Sequence, residues 1–209
     1  MFRALLTACL AVFLFATPAI PAKDFSHLLN AVRPLQTSPD GGVFCTATQI
    51  NKTKKFWLTA AHCVAGERAL FIGDAPAYVT ETTAIEGEGD MAILFSPTST
   101  APDDLKLSRR VLRQGERIRI MGFPAGVGPI VTQGFVGNPL VYFPYYDEWL
   151  ASFDVSVCGG NSGSAVVNSR DEVVSVLTRY HYPVPPCMAL AGGTPLSKLI
   201  AFAGKYFRR

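Results

Sequence analysis

The stretch CGGNSGSAVV, residues 158–167, places one serine, Ser162, between glycines and shortly before an apolar run. Glycine permits backbone conformations that can direct two N–H groups to one point beside the serine oxygen. The stretch therefore has two interpretations. Ser162 is either a nucleophile held on a tight turn or a polar residue in a hairpin loop.

Length and composition limit the class of protein. The chain has 209 residues, of which 49% are hydrophobic and 17% charged, a composition typical of a globular protein with a sizeable core. A formal net charge of +3 is too small to indicate binding to nucleic acid or to an anionic membrane. We therefore expect no nucleic-acid partner.

Residues 1–22 have the features of a secretory signal peptide. Arg3 supplies an early positive charge, an apolar run covers residues 4–16, and Ala22 is a small residue where cleavage can occur. A retained membrane anchor is the alternative, although the run is short for a bilayer. We expect a secreted protein, extracellular or periplasmic, without stable membrane insertion after cleavage.

Removal of that segment leaves four cysteines. An even number in an exported chain indicates two disulfides, with three possible pairings. A C-x-x-C pair is absent from the sequence, so we expect no metal site. The four are Cys45, Cys63, Cys158 and Cys187.

Short segments rich in β-branched and aromatic residues dominate the chain, and no helices alternate with them, which favours an all-β fold. A polar stretch with two prolines, residues 96–110, separates two sets of strands. The sequence thus predicts two packed antiparallel β-barrels, an active site in the cleft between them, and a C-terminal helix within residues 195–207. The predicted boundaries are 1–22 for the signal peptide, 23–107 for the first barrel and 108–209 for the second barrel with the helix.

Two further segments carry candidate catalytic groups. His62 follows an apolar strand in WLTAAHCVAG, and Asp90 precedes another in GDMAILF. A carboxylate beside a buried strand is costly unless it is paired, and a general base requires a fixed position. A lone histidine is more often structural, but His62, Asp90 and Ser162 together indicate one catalytic group.

TAAHC (59–63), GDMAIL (89–94) and GGNSGS (159–164) resemble the three catalytic segments of chymotrypsin-like serine proteases, in the same order. The resemblance extends from about Val43 to the terminal helix. Residues 154–174 are similar in particular to the bacterial glutamyl-endopeptidase branch.

The resemblance implies a secreted serine endopeptidase that is monomeric, needs no cofactor and acts on proteins or peptides through an acyl-enzyme. Ser162 would be the nucleophile, His62 the general base and Asp90 its partner, with the N–H groups of Gly160 and Ser162 as the oxyanion hole. It also implies the disulfides Cys45–Cys63 and Cys158–Cys187.

The sequence departs from the digestive enzymes at two points. Asn161 occupies the position of an aspartate that pairs with their freed amino terminus, so we expect the active loop to form without that ion pair. The interval from His62 to Asp90 is also shorter, and Asp74 in FIGDAP is the alternative acid.

The resemblance places the specificity pocket at Ser156, Val157, Leu177 and Thr178. Ser156 offers no carboxylate for a Lys or Arg side chain, although Asp154 lies two residues away. The histidine and threonine of glutamate-specific relatives are replaced by Leu177 and Val157. The sequence thus predicts a neutral, largely apolar pocket, narrowed if Arg179 or Tyr180 leans over its mouth.

Two other classes of protein remain open at this point. The first is a catalytically inactive, protease-like binding protein, since this fold can be retained without its chemistry. The second is an all-β adhesion domain with a chance resemblance. The intact set of His62, Asp90 and Ser162 argues against both.

Overall fold

The computed structural model describes residues 24–66, 69–85, 87–180 and 187–208. The predicted signal peptide and its cleavage site lie outside these ranges. Within them, no helix has the length and apolar character needed to cross a membrane.

Six short strands form the first barrel, preceded by the helix α1 (Ser26–Asn30). All neighbouring strands are antiparallel, in the order β1-β2-β3-β6-β5-β4, and the sheet closes between β4 and β1. The strands are β1 (Val32–Gln36), β2 (Cys45–Asn51), β3 (Phe56–Thr59), β4 (Leu70–Ile72), β5 (Ala75–Thr82) and β6 (Ala92–Phe95).

The second barrel also has six antiparallel strands, in the order β11-β8-β9-β10-β13-β12, and closes between β11 and β12. A helix, α2 (Leu196–Ala203), follows it. The strands are β8 (Arg117–Gly122), β9 (Ile130–Phe143), β10 (Glu148–Cys158), β11 (Ala165–Val167), β12 (Glu172–Tyr180) and β13 (Cys187–Gly193). The predicted all-β fold of two barrels with a C-terminal helix is confirmed.

The segment between the barrels contains one more strand. β7 (Lys106–Leu107) pairs in parallel with the start of β12, so the predicted linker runs along the second barrel. The boundary between residues 107 and 108 stays a prediction.

Each barrel has its own core, and a third apolar cluster joins them. Trp57 is fully buried in the first barrel and Phe153 in the second. The joining cluster combines Leu58 from β3 with Met121 from β8 and Leu199 from α2. Because burial of such a side chain contributes about 1.5–3 kcal/mol, this cluster holds the two barrels together and fixes the cleft between them.

A disulfide joins Cys45 at the start of β2 to Cys63. Cys63 ends a short 3₁₀ turn, Ala61–Cys63, that follows β3 and carries His62. Cys158 is also disulfide-bonded, and the β10–β13 register places it opposite Cys187. The side chain of Cys187 lies outside the described part of the chain, so the second pairing stays a prediction.

Candidate active site

The three candidate catalytic residues lie where the barrels meet. His62 lies in the 3₁₀ turn after β3, Asp90 directly before β6, and Ser162 in the turn between β10 and β11. His62 and Ser162 line one cavity of about 280 Å³ between the barrels. The other lining residues are Tyr145, Tyr146, Thr178, Arg179 and Tyr180.

His62 is held by Asp90 through two hydrogen bonds. The imidazole Nδ1 lies 2.7 Å from Asp90 Oδ2, and the backbone N–H of His62 donates to Oδ1 at 2.8 Å. The Asp90 side chain is 1% exposed, whereas that of His62 is 31% exposed and faces the cavity. The alternative acid, Asp74, is exposed in the turn between β4 and β5, beside a different cavity.

Asp90 adopts an unusual backbone conformation. Its φ is 50°, in the left-handed region that few non-glycine residues occupy, and the preceding Gly89 has φ 110°. The Asp90 N–H donates to the Ala84 carbonyl at 3.3 Å, and Thr194 donates its hydroxyl to the Gly89 carbonyl. Strained backbone of this kind is typical of functional sites, where the surrounding contacts hold it.

A largely buried arginine also contacts Asp90. Arg179, near the end of β12, donates through Nη1 to Asp90 Oδ2 and through Nη2 to the Ile85 carbonyl at 3.0 Å. Its Nε lies 3.4 Å from Oε2 of Glu148, and its guanidinium stacks 5.3 Å from the ring centre of Tyr146. No pattern in the sequence indicates the contacts of Arg179 with Asp90 and Glu148.

These contacts set the ionisation of Asp90. Burial raises the pKa of its carboxyl, but the hydrogen bonds and charge of His62, with the charge of Arg179, outweigh burial and hold that pKa below its ordinary value. Asp90 is therefore a carboxylate at neutral pH and orients the imidazole through Nδ1.

The turn that carries Ser162 requires glycine at two positions. Gly160 has φ 94° and Gly163 has φ 83°. A Cβ on Gly160 would lie 2.2 Å from the Phe123 carbonyl oxygen, and one on Gly163 would lie 2.2 Å from Thr59 Oγ1. Larger residues are excluded at both positions by backbone conformation and by space.

The same turn presents the backbone N–H groups of Gly160 and Ser162, the predicted oxyanion hole. Among the described residues, no backbone hydrogen bond uses the N–H of Gly160 or of Ser162. Asn161 between them is buried, and its own N–H donates to the Cys158 carbonyl at 3.1 Å. The turn thus forms in the structure with Asn161 in place of the aspartate of digestive relatives.

Of the four predicted pocket residues, Thr178 is the one that lines this cavity, and the assignment of the other three to a specificity pocket stays a prediction. Thr178 lines the cavity, and its buried Oγ1 has no hydrogen-bond partner among the described residues. Val157 and Leu177 pack in the core of the second barrel, and Ser156 is exposed on β10. The side chains that line the cavity beside Thr178, namely Tyr145 and Tyr146, come from the β9–β10 hairpin.

His62 also lies near two sulfur atoms. The ligand atoms of Cys45, His62 and Cys63 lie within 4.8 Å of one another. Because both sulfurs belong to a disulfide, neither is a thiolate, the form that binds metals.

Curated proteins with similar sequences are serine proteases. The chain is 25% identical over 135 residues to "Probable serine protease do-like" of Buchnera aphidicola subsp. Acyrthosiphon pisum, covering 62% of this chain. It is 30% identical over 131 residues to "Serine protease HTRA2, mitochondrial" of Bos taurus, covering 58% of this chain. The chain spans only 28% of the length of each of these relatives.

Solved structures share the fold. "HtrA-type protease AlgW with tripeptide" superposes with a TM-score of 0.73 at 20% identity, covering 88% of this chain and 62% of that chain. "Rv3671c protease, inactive form" gives a TM-score of 0.63 at 18% identity, covering 85% of this chain and 89% of that chain.

The family assignment rests on a match to most of the described structure. Residues 42–176, more than half of the chain, match the trypsin-like peptidase domain. The matched range includes His62, Asp90 and Ser162, and both barrels contribute to it. The chain belongs to the family of trypsin-like peptidase domains.

Proposed function

We propose that this protein is a serine endopeptidase, in which Ser162 is the nucleophile, His62 the general base and Asp90 the acid that orients it. The observation that carries the proposal is the pair of hydrogen bonds between His62 and Asp90, one at the imidazole Nδ1 and one from the backbone N–H, in a histidine that lines the same cavity as Ser162. When a buried carboxylate fixes a histidine through Nδ1, the Nε2 of that histidine is available to accept a proton, here from the Ser162 hydroxyl.

The reaction proceeds in two halves. Ser162 Oγ attacks the carbonyl carbon of the cleaved bond while His62 Nε2 takes the hydroxyl proton. The tetrahedral intermediate collapses as the imidazolium returns that proton to the leaving amine, which leaves an acyl-enzyme on Ser162. A water molecule then attacks the ester carbonyl, His62 takes its proton, and that proton returns to Ser162 as the carboxylic acid product leaves.

The oxyanion of each tetrahedral intermediate would bind to the N–H groups of Gly160 and Ser162. Support comes from the positive φ of Gly160 and from the absence of other hydrogen bonds to these two donors among the described residues. A donor of this kind contributes about 3 kcal/mol to stabilisation of the transition state.

The substrates would be proteins or peptides with an uncharged side chain at the cleaved bond. The related AlgW structure is described as carrying a tripeptide. In this chain the cavity has phenol rings from Tyr145, Tyr146 and Tyr180, and the charge of Arg179 is already paired. The closeness of residues 154–174 to the glutamyl-endopeptidase branch stays a prediction from the sequence.

We infer that the protein works outside the cytoplasm. One relative is described as "Probable periplasmic serine endoprotease DegP-like". The leader-like segment at residues 1–22 and the Cys45–Cys63 disulfide also favour an oxidising compartment, extracellular or periplasmic.

Labelling with a fluorophosphonate probe tests the proposal. The probe forms a covalent bond only with an activated serine, so we expect labelling of the natural chain and none of Ser162→Ala or His62→Ala. A matched control, Ser164→Ala, removes a serine of the same turn that is fully buried and is expected to keep the labelling. A natural chain that is folded but unlabelled would support the inactive binding protein instead.

A further inference from the structure

Three charged side chains, including Asp90, lie together beside His62 with little exposure to solvent. The side chains of Asp90, Glu148 and Arg179 are 1%, 4% and 11% exposed, respectively. Charges removed from water to this degree are unfavourable unless they are paired and hydrogen-bonded. The three therefore act as one electrostatic unit.

The unit carries one more negative than positive charge. Two carboxylates face one guanidinium, and the further hydrogen bond that Glu148 accepts within the described ranges comes from a neutral donor, the Gly87 N–H at 3.1 Å. A proton on His62 would complete the balance, because the imidazolium adds the missing positive charge beside Asp90. The excess negative charge of Asp90, Glu148 and Arg179 is thus balanced by the positive charge that the imidazole carries during the reaction.

Arg179 acts on His62 through a shared atom. Its Nη1 and the imidazole Nδ1 both contact Oδ2 of Asp90, while Oδ1 accepts the backbone N–H of His62. A guanidinium on that oxygen reduces the negative charge that the imidazole experiences. Glu148 lies on the opposite side of the guanidinium, 3.4 Å from its Nε, and reduces the positive charge in turn.

We propose that Arg179 and Glu148 are positioning residues that hold the carboxylate of Asp90 in place and, by opposing charges, set how readily His62 takes a proton. The proposal rests on the proposed function only for its consequence in catalysis. The electrostatic effect on His62 is a property of the folded chain and is measurable without turnover.

Other groups around His62 do not supply this balance. The titratable groups facing it across the cavity are the phenols of Tyr145, Tyr146 and Tyr180. Burial raises the pKa of Tyr146, so its phenol is neutral over the pH range in which histidines titrate. Within the described residues that line this cavity, Arg179 is the charged partner of the His62–Asp90 pair.

The decisive experiment is an NMR titration of the histidine rings in the Ser162→Ala background. The full sequence contains three histidines, at positions 27, 62 and 181, so the His62 signal is assignable by substitution. With Arg179→Met we expect the His62 midpoint to move to higher pH, and with Glu148→Gln to lower pH, each by about one pH unit. The double variant Arg179→Met/Glu148→Gln is expected to return towards the midpoint of the parent.

Arg119→Met is the matched control. Arg119 is 4% exposed and pairs with Asp171, which also contacts His27 Nε2 at 3.1 Å. This variant removes another buried arginine–carboxylate pair, and we expect it to move the His27 signal but not the His62 signal. The decrease in unfolding free energy of Arg119→Met shows how much a pair with a purely structural role contributes to stability.

The pH profile of kcat/KM supplies the second measurement. The midpoint of its rising limb is expected to move with the NMR midpoint of His62, up for Arg179→Met and down for Glu148→Gln. Movement of both variants in one direction, or of neither, would overturn the inference even if the enzyme is active. Opposite NMR shifts in the Ser162→Ala background, together with no peptidase activity in the chain that keeps Ser162, would support the inference and refute the proposed function.

Discussion

Thr46 of the first barrel donates its backbone N–H to the carbonyl oxygen of Ser162 in the second barrel, at 2.8 Å. Its hydroxyl donates to the Gly160 carbonyl, also at 2.8 Å, and accepts the Phe123 N–H at 3.1 Å. One residue thus fixes two peptide units of the nucleophile turn. Because Thr46 is fully buried, water does not replace these bonds if they are lost.

Thr46→Val is expected to lower kcat by about tenfold with little change in KM. The variant keeps the shape and the backbone donor but leaves the Gly160 carbonyl and the Phe123 N–H unpaired, at a cost of about 1–3 kcal/mol in unfolding free energy. Steady-state kinetics and urea unfolding measure both effects. Ser99→Ala is the control, since it removes a buried hydroxyl that bonds the Ile72 carbonyl in the first barrel. A loss of stability without loss of kcat in Thr46→Val would show that Thr46 does not align the turn.

His62→Ala and Ser162→Ala are each expected to lower kcat by roughly four orders of magnitude or more while the fold is retained. Because the two residues act as one unit, the double variant is expected to be no slower than either single variant. Circular dichroism verifies folding, and hydrolysis of a chromogenic peptide measures kcat. A double variant that is slower by the product of both effects would argue against a shared mechanism.

Asp90→Asn is expected to lower kcat by about ten-thousandfold, since an amide at this position favours the wrong imidazole tautomer. Asp74→Asn, on the exposed turn between β4 and β5, is expected to change kcat less than twofold. The same kinetic assay compares them. A severe effect of Asp74→Asn with a mild effect of Asp90→Asn would transfer the role to Asp74.

The Asp90 carboxyl also makes stability depend on pH. Its pKa is lower in the folded than in the unfolded chain, so its contribution is present above the unfolded value of about 3.9 and is lost as the pH falls through the folded value. As the pH falls from 5 to about 2–3, we therefore expect the unfolding free energy of Asp90→Asn to decrease less than that of the natural chain. Urea unfolding across this range measures the difference. An equal decrease in unfolding free energy in both proteins would contradict a lowered pKa of Asp90 in the folded chain.

A peptide library is expected to show preference for apolar or small uncharged residues at the cleaved bond. The three phenol rings of the cavity and the paired state of Arg179 are the reasons. Tyr146→Ala is expected to broaden this preference towards larger side chains. A profile dominated by Glu, or by Lys and Arg, would refute the description of the pocket and leave the catalytic residues unaffected.

Local sequence was sufficient to predict the barrels and the C-terminal helix, and it singled out the segments around His62, Asp90 and Ser162 as candidates. Each of these depends on a pattern within about ten residues. The contact between Arg179 and Asp90 joins positions 89 residues apart, and no periodicity within a strand indicates such a partner. Glu148 begins β10 and is buried, but no local pattern predicts this, since burial of a charge depends on what other elements supply.

The residues of the specificity pocket are difficult to predict from the sequence for a different reason. In the last part of β10, residues 154–157, exposed and buried positions alternate, so Val157 faces the core while Ser156 faces solvent. Their placement at the pocket came from a resemblance, whereas the alternation of the strand, visible in the sequence, favours a core position for Val157. Tyr145 and Tyr146, which line the cavity, come from the β9–β10 hairpin, whose path across the site depends on the closure of the second barrel.

The Cys45–Cys63 bond has a consequence for where the protein can work. Cys63 adjoins His62 and Cys45 adjoins Thr46, so a single covalent link borders both the base and the residue that fixes the nucleophile turn. A chain still reduced, as during synthesis in the cytosol, lacks that link at both places. We expect peptidase activity to rise with oxidation of this pair of cysteines, measured as peptide hydrolysis before and after treatment with a reductant.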